Sequence, residues 1–285
     1  MLVKLLHKVT GVYKYQIRTA SIVLEDLPEV FDGLRIVHLS DIHAGSLRDY
    51  DSVLKGIDSV NELEPDIVFF TGDLVNKRIS EISDLLPIFG SIESKYGVYT
   101  VAGNHDYPQK RFGNAELGLE ELLRLNHALG WNLLVNENHI IEAEGEKIAI
   151  IGVENQGKLK RHPRRADIDK ALAGTETCSI KMLLTHDPFH WKNEILGQHL
   201  DVDITFSGHT HGFQIGAGRN LNKISPARLL YRHWDGLYKE GDQYLFVNRG
   251  FGFHGMPSRI GMPPEISFIK LYSNQNDYFP AALMN

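Results

Sequence analysis

The period of the apolar positions changes along the chain. Residues 35–40 (RIVHLS), 66–71 (DIVFFT), 98–102 (VYTVA), 181–185 (KMLLT) and 203–207 (DITFS) are short, mostly apolar runs that predict buried strands. Between the early runs the spacing lengthens to that of a helix. Val53, Ile57, Val60 and Leu63 fall on one face before Pro65, and Ile82, Leu85, Leu86 and Phe89 fall on another. Residues 119–129 predict an amphipathic helix and 166–173 a short one, while 16–24 alternate imperfectly and predict an edge strand. Later the pattern becomes meander-like. Residues 133–135, 139–143 and 147–153 read as antiparallel strands separated by turns at 136–138 and 144–146. Residues 212–242 read as irregular, 244–247 and 265–272 as closing strands, and 248–255 as a glycine-rich loop between them.

Alternation of strand and helix followed by a meander predicts two mixed β-sheets packed face to face with helices outside. This is a four-layer α-β-β-α sandwich of the α/β class rather than a fully parallel, doubly wound sheet. The expected organisation is a single domain over 1–285. Residues 1–30 form an N-terminal segment and edge strand, 34–212 the core, and 213–285 the C-terminal loops and strands.

Composition narrows the chemistry. The 285 residues are 42% hydrophobic and 23% charged, an ordinary globular balance, and the net charge of −6 makes a nucleic-acid partner unlikely. The lone cysteine, Cys178, excludes an internal disulfide and a thiolate metal cluster, so any metal must be held by oxygen and nitrogen. No apolar run approaches the roughly 20 residues of a spanning helix. Residues 1–12 carry Lys4, His7 and Lys8 and are too short and charged for an export signal; they read as an ordered tail or a short amphipathic helix.

Five expected strands end in groups that bind cations: Asp41 and His43; Asp73; Asn104 and His105; His186; His209 and His211. Sites in α/β proteins form outside the carboxyl ends of strands. In an extended segment the i, i+2 spacing of Asp41 with His43, and of His209 with His211, puts both side chains on one side. Gly72, Gly103 and Gly208 stand directly before these groups, where tight turns need no Cβ. Carboxylate, imidazole and one amide oxygen suit Mn, Fe or Zn. Even with one of these set aside, the seven left exceed the needs of one ion, and Asp73, alone on its strand, is the natural bridge between two.

Taken together, Asp41-Ile42-His43, Gly72-Asp73, Gly103-Asn104-His105-Asp106, His186 and Gly208-His209-Thr210-His211 resemble the motifs of the calcineurin-like metallophosphoesterase superfamily. The resemblance implies a dinuclear site in which Asp41, His43, Asp73 and His211 hold one metal and Asp73, Asn104, His186 and His209 the other. It further implies that His105 is catalytic rather than a ligand, protonating the leaving oxygen or stabilising phosphoryl charge. The nucleophile would be a metal-bridging hydroxide, and the bond cleaved a phosphodiester or pyrophosphate. Two arginines that clamp phosphate in the protein phosphatases of this superfamily are replaced by Asn76-Lys77 and Ala102, which turns the expectation away from phosphoproteins. Asn76 stands where an Asp would orient His105, leaving Asp106 as a substitute.

The stretches 248–252, 257–261 and 263–266 are similar to a bacterial membrane-associated branch that includes enzymes hydrolysing UDP-diacylglucosamine-type pyrophosphates. That similarity implies a lipid- or nucleotide-linked substrate and a membrane-associated, otherwise cytoplasmic, setting for a chain without an anchor of its own. A nuclease and a non-catalytic metal-bound membrane module are the competing expectations. Arg249 and Arg259 are candidates for substrate phosphate, with structural ion pairs as the alternative. His254 is a weaker candidate for substrate contact. Phe251, Phe253 and Met256 divide between a lipid groove and core packing. Lys158, Lys160, Arg161, Arg164 and Arg165 form a solvated loop or meet an anionic membrane. His38, His190, His199 and His233 read as structural or surface residues.

Overall fold

In the computed structural model, residues 11–107, 115–156, 165–217 and 224–273 are described, without the side chains of 115–117. Among the described residues, twelve strands form two six-stranded sheets. The first sheet has the order β1 (Gln16–Val23), β12 (Glu265–Tyr272), β2 (Leu34–Leu39), β3 (Ile67–Phe70), β4 (Val98–Thr100) and β5 (Asn132–Leu133). The second runs β10 (Gly236–Glu240), β11 (Gln243–Val247), β9 (Ile204–Ser207), β8 (Ile180–Leu184), β7 (Glu146–Gly152) and β6 (Glu137–Ala143). Both sheets are mixed. In the first, β2, β3, β4 and β5 are parallel and β12 runs antiparallel to β2; in the second, β7, β8, β9 and β11 are parallel.

The facing sides of the sheets share one apolar core, with Ile36, Phe69 and Tyr99 meeting Ile150, Met182, Ile204 and Phe206. The outer face of the first sheet is covered by helices α1 (Tyr50–Asn61), α2 (Leu86–Phe89) and α3 (Ala115–Leu129), which contribute Val53, Ile57, Phe89, Leu122 and Leu125. The outer face of the second is covered by α4 (Ile168–Leu172) and a π turn at Trp191–Ile195, with Ala171, Trp191 and Ile195 buried. The four-layer α-β-β-α sandwich expected from the sequence is therefore the fold.

Three local expectations change. Leu133 belongs to β5, which pairs in parallel with β4, so this run joins the first sheet and makes no antiparallel pair with 139–143. The chain crosses between sheets at Asn136, which is buried and left-handed (φ 53°) and accepts the backbone N–H groups of Glu154 and Asp167. The stretch read as irregular contains a short helix, α5 (Ala227–Leu230), and β10, antiparallel to β11. The helix carrying Ile82 and Phe89 is a 3₁₀ segment, Ile79–Leu85, continued by α2, with Pro87 in its first turn. The tail expected over 1–12 falls mainly outside the described residues, as do Lys158, Lys160, Arg161 and Arg164 of the basic run. Among the described residues no helix is long and apolar enough to cross a membrane.

Candidate metal centre

The carboxyl ends of β2, β3 and β4 from one sheet and of β8 and β9 from the other meet at one edge of the sandwich. Parallel strands bring their ends together, so residues far apart in sequence converge. His211 Nε2 lies 3.2 Å from Asp41 Oδ1 and 3.1 Å from His43 Nε2. His186 Nε2 lies 3.3 Å from Asp73 Oδ2 and 3.1 Å from His209 Nδ1. Asp73 Oδ2 is also 3.6 Å from His43 Nε2, so this carboxylate stands between the two clusters. In each of the triads Asp41–His43–His211 and Asp73–His186–His209 the donor atoms lie within 4.8 Å of one another.

The backbone that presents these groups is not extended. Asp41, His43, Asp73, His209 and His211 all have φ between 48° and 69°. The i, i+2 pairs thus reach one centre through left-handed turns, which Asp and His tolerate better than most residues. Glycine is required where these turns touch. A Cβ at Gly103 would collide with Asp73, and one at Gly208 with Ser40 and Asp41.

Outer partners fix the rings. Thr71 O lies 2.7 Å from His186 Nδ1 and accepts a hydrogen bond from its N–H, leaving Nε2 to face Asp73. Asn76 Oδ1 does the same for His43 Nδ1 at 3.0 Å. His209 is reversed: its Nε2 meets the Tyr231 hydroxyl at 3.2 Å, so Nδ1 faces the centre. Nothing in the spacing of the sequence points to Tyr231 or to the use of Nδ1.

The electrostatics demand a positive charge here. Burial works against the ionised form of both Asp73 and His186, yet their mutual attraction lowers the Asp73 pKa and raises that of His186 to about 10. A proton shared by this pair answers the same demand as a cation. Burial lowers the pKa of His43 and His209, which keeps these imidazoles neutral and able to donate lone pairs. Asn104 Oδ1 is buried without a hydrogen-bond partner, and Asp41 Oδ1 has only the neighbouring His211 Nε2 at 3.2 Å, an arrangement that costs free energy unless a cation binds. The residues fit a metal on both counts.

His105 stands beside this group, its ring 5.0 Å from that of His43. Its Nδ1 lies 2.8 Å from the main-chain oxygen of Asn76, which accepts the hydrogen bond. A backbone carbonyl therefore orients His105, and Asp106 does not. The Asp106 carboxylate accepts four backbone N–H groups instead, from Gly103, Asp73, Leu74 and Val75. Burial and the charge of Asp73 push its pKa up to about 7 against the pull of those N–H groups.

Arg249 and Arg259 are buried, at 0% and 3% exposure. Arg249 Nε pairs with Glu265 at 2.5 Å. Arg259 donates to the carbonyl oxygens of Arg249, Gly250, Gly252 and His211, and its Nη2 lies 3.1 Å from His211 Nδ1. These guanidiniums brace the loops behind the centre, and the structural alternative describes their contacts better than a phosphate contact does. Phe251 and Phe253 are likewise buried, Phe251 stacking on Tyr15 at 4.3 Å, so of the expected lipid groove only Met256 is exposed. His38, His190 and His233 are buried structural residues.

Comparison with known proteins agrees with this geometry. The profile of the calcineurin-like phosphoesterases matches residues 34–213. A Danio rerio transmembrane protein with a metallophosphoesterase domain is 32% identical over 256 residues, covering 88% of this chain and 56% of that protein. A metallophosphoesterase of Helicobacter pylori is 32% identical over 262 residues, covering 92% of this chain and 65% of that protein. The chain thus spans less than two thirds of the length of these relatives. Among solved structures, the NAD nucleotidase of Haemophilus influenzae superposes with a TM-score of 0.51 at 16% identity, over 77% of this chain and 45% of that one, a likeness of fold. The chain belongs to the calcineurin-like phosphoesterase family.

Proposed function

We propose that this chain hydrolyses a phosphodiester or pyrophosphate bond at a centre for two metal ions. The observation that carries this reading is the position of Asp73 Oδ2, between His43 Nε2 and His186 Nε2, one from each triad. Asp41, His43, Asp73 and His211 hold one ion; Asp73, Asn104, His186 and His209 hold the other. The donor set suits Mn, Fe or Zn. When bound, two such ions supply Lewis acidity to the phosphoryl oxygens and to the attacking water. The chain itself does the rest. Asn104 contributes a neutral oxygen and adds no charge. The Asn76 carbonyl accepts the Nδ1–H of His105, so Nε2 is the nitrogen turned to substrate, and it is the imidazolium form of His105 that would give its Nε2 proton to the leaving oxygen and return to the neutral ring. Supporting the reading of 1–285 as one domain, β1 and β12, from opposite ends of the chain, pair in one sheet.

The test is Mn-, Fe- or Zn-dependent hydrolysis of bis(p-nitrophenyl) phosphate. Chelation should abolish it, and Asp73→Ala should lower it by about 10²-fold or more. Unchanged turnover in Asp73→Ala would sink the proposal.

A membrane-linked substrate is favoured over nucleic acid by a second observation. Phe213, Ile224, Leu229, Leu230, Met256 and Ile260 are exposed, Leu229 at 87%. Phe213, Met256 and Ile260 lie on segments joined by a bridge from Ile215 to Ile260 and by a hydrogen bond from Gln214 Nε2 to Met256 O, close in sequence to His211 and His254; the segment of Ile224, Leu229 and Leu230 is tied to them by the Ala217–Ile224 bridge and by Ser225 Oγ donating to Gly212 O. Arg228 and Arg232 are exposed beside them, in a chain of net charge −6. Apolar tips with local arginines match an anionic bilayer, which would present a lipid-linked pyrophosphate to the centre. The names of the Danio rerio and Bos taurus relatives also place those proteins in membranes. Vesicles of anionic phospholipid should co-sediment the chain, and Leu229→Asp with Leu230→Asp should release it. Equal binding by this variant, or none by the parent, would leave a soluble nucleotide-linked substrate as the reading.

A further inference from the structure

His254 lies in the glycine-rich loop after β11, more than forty residues beyond the Gly208–His211 motif, and none of the motifs includes it. The fold carries it to the centre. Its ring stacks on His43 at 4.8 Å and tilts against His105 at 4.4 Å. One ring nitrogen from each of His43, His105 and His254 falls within 4.8 Å of the others. The loop is anchored, since His254 N donates to Gln214 Oε1 at 2.7 Å. The His254 Nδ1 atom, however, is buried without a hydrogen-bond partner.

Three facts converge on a use for it. A buried imidazole nitrogen without a partner is costly and calls for a ligand. Both candidate phosphate-binding arginines are buried behind the centre, Arg259 donating to backbone carbonyls and Arg249 held through Nε by Glu265, with only its Nη2 unpaired. His43 already gives Nδ1 to Asn76 and turns Nε2 to Asp73, so its ring is committed to the cluster. His105 and His254 are then the two imidazoles beside the cluster with a nitrogen left for another partner.

We propose that His254 is a substrate-contacting residue that donates a hydrogen bond to a non-bridging phosphoryl oxygen, forming with His105 a two-imidazole cradle for a phosphoryl group. The ligand class is a phosphate or phosphate ester whose oxygens reach past the cluster, with inorganic phosphate as its smallest member. The inference rests on the phosphohydrolase reading above. It assigns no metal to His254 and needs no change in its charge, because a neutral imidazole carries one N–H.

The full chain loaded with Mn²⁺ is titrated with inorganic phosphate by calorimetry, and its metal content and thermal midpoint are recorded. His254→Ala should weaken phosphate binding about tenfold, as expected for loss of one hydrogen bond to a charged group. It should raise KM for the aryl diester more than it lowers kcat, with metal content unchanged. His254→Asn, which returns an N–H near the Nδ1 position, should recover part of the affinity. Phosphate binding unchanged in His254→Ala overturns the proposal. A loss of bound metal in that variant also overturns it, by showing a ligand or packing role. The two readings separate cleanly: a parent chain that binds phosphate through His254 but hydrolyses nothing leaves this contact standing and removes the hydrolytic reading.

Discussion

Asp106 offers the sharpest test of how the centre is built. Each of its carboxylate oxygens accepts two backbone N–H groups. Oδ2 takes Asp73 N at 2.7 Å and Gly103 N at 2.9 Å, and Oδ1 takes Leu74 N at 2.8 Å and Val75 N at 3.1 Å. The side chain thus ties the turn after β3 to the turn after β4. Asp106→Asn changes one oxygen to NH₂ with almost no change in volume. Whichever way the amide is placed, it sets a donor against two N–H donors. An unpaired buried N–H costs about 1–3 kcal/mol, so two cost about 2–6 kcal/mol, and local relaxation should bring the observed loss to about 2–4 kcal/mol. Asp106→Ala frees all four N–H groups but opens room for water, which can serve two of them, so its loss should be similar rather than double. Urea unfolding of the metal-free protein at pH 8, where the carboxylate is ionised, measures both values. Metal titration should show weaker binding, because Asp73 Oδ1 accepts His105 N at 2.8 Å and moves with this turn. A stability of Asp106→Asn within about 0.5 kcal/mol of the parent, the usual range for a neutral surface change, would refute the reasoning.

The remaining predictions concern single groups. Asn104→Ala should lower bound metal from two equivalents toward one by elemental analysis, since its Oδ1 is a buried acceptor without another partner. His105→Ala should retain both metals and lose turnover by about 10²–10⁴-fold, the usual range for a positioned acid–base group; loss of metal instead would make His105 a ligand. His38 is fully buried in β2, and burial lowers its pKa to about 3. The unfolded imidazole binds a proton below about pH 6.5, so between those values the unfolded state holds more protons and stability rises with pH. Acidification across this window should cost about 1.4 kcal/mol per pH unit from this group, and His38→Gln should flatten the slope of a denaturation series by one proton.

The strand ends were readable in the sequence for a physical reason. Runs such as DIVFFT are buried on both faces, so they cannot tolerate Gly-Asp or Asn-His until the strand is over. Polar chemistry at each boundary therefore marks both the end of an element and the edge of a site. Other features have no such marker. Asn136 looks like any turn residue, yet it moves the chain from one sheet to the other, because its amide also binds Glu154 and the Arg165 carbonyl. Spacing could not distinguish the Asn76 side chain, which orients His43, from its carbonyl, which orients His105. Arg249 is a conventional phosphate ligand by residue type, but Glu265 opens β12 next to the centre and claims it. Such assignments depend on which loops meet, which one-dimensional spacing does not encode.

The left-handed backbone explains how the centre stays in place. Five of the seven candidate ligands have positive φ, each at a cost of about 1 kcal/mol or more. Isolated loops would relax out of such conformations. Here they are laced to one another: Asp41 N donates to Gly72 O at 2.9 Å, His43 N to Asp73 O at 3.0 Å, and His209 N to Asp41 Oδ2 at 2.9 Å. Phe251 N donates to Ser40 O at 2.8 Å, which brings the loop carrying His254 into the same lattice. The strain is thus offset by hydrogen bonds between the loops, and the same bonds fix the arrangement that carries Asp73 between the two triads.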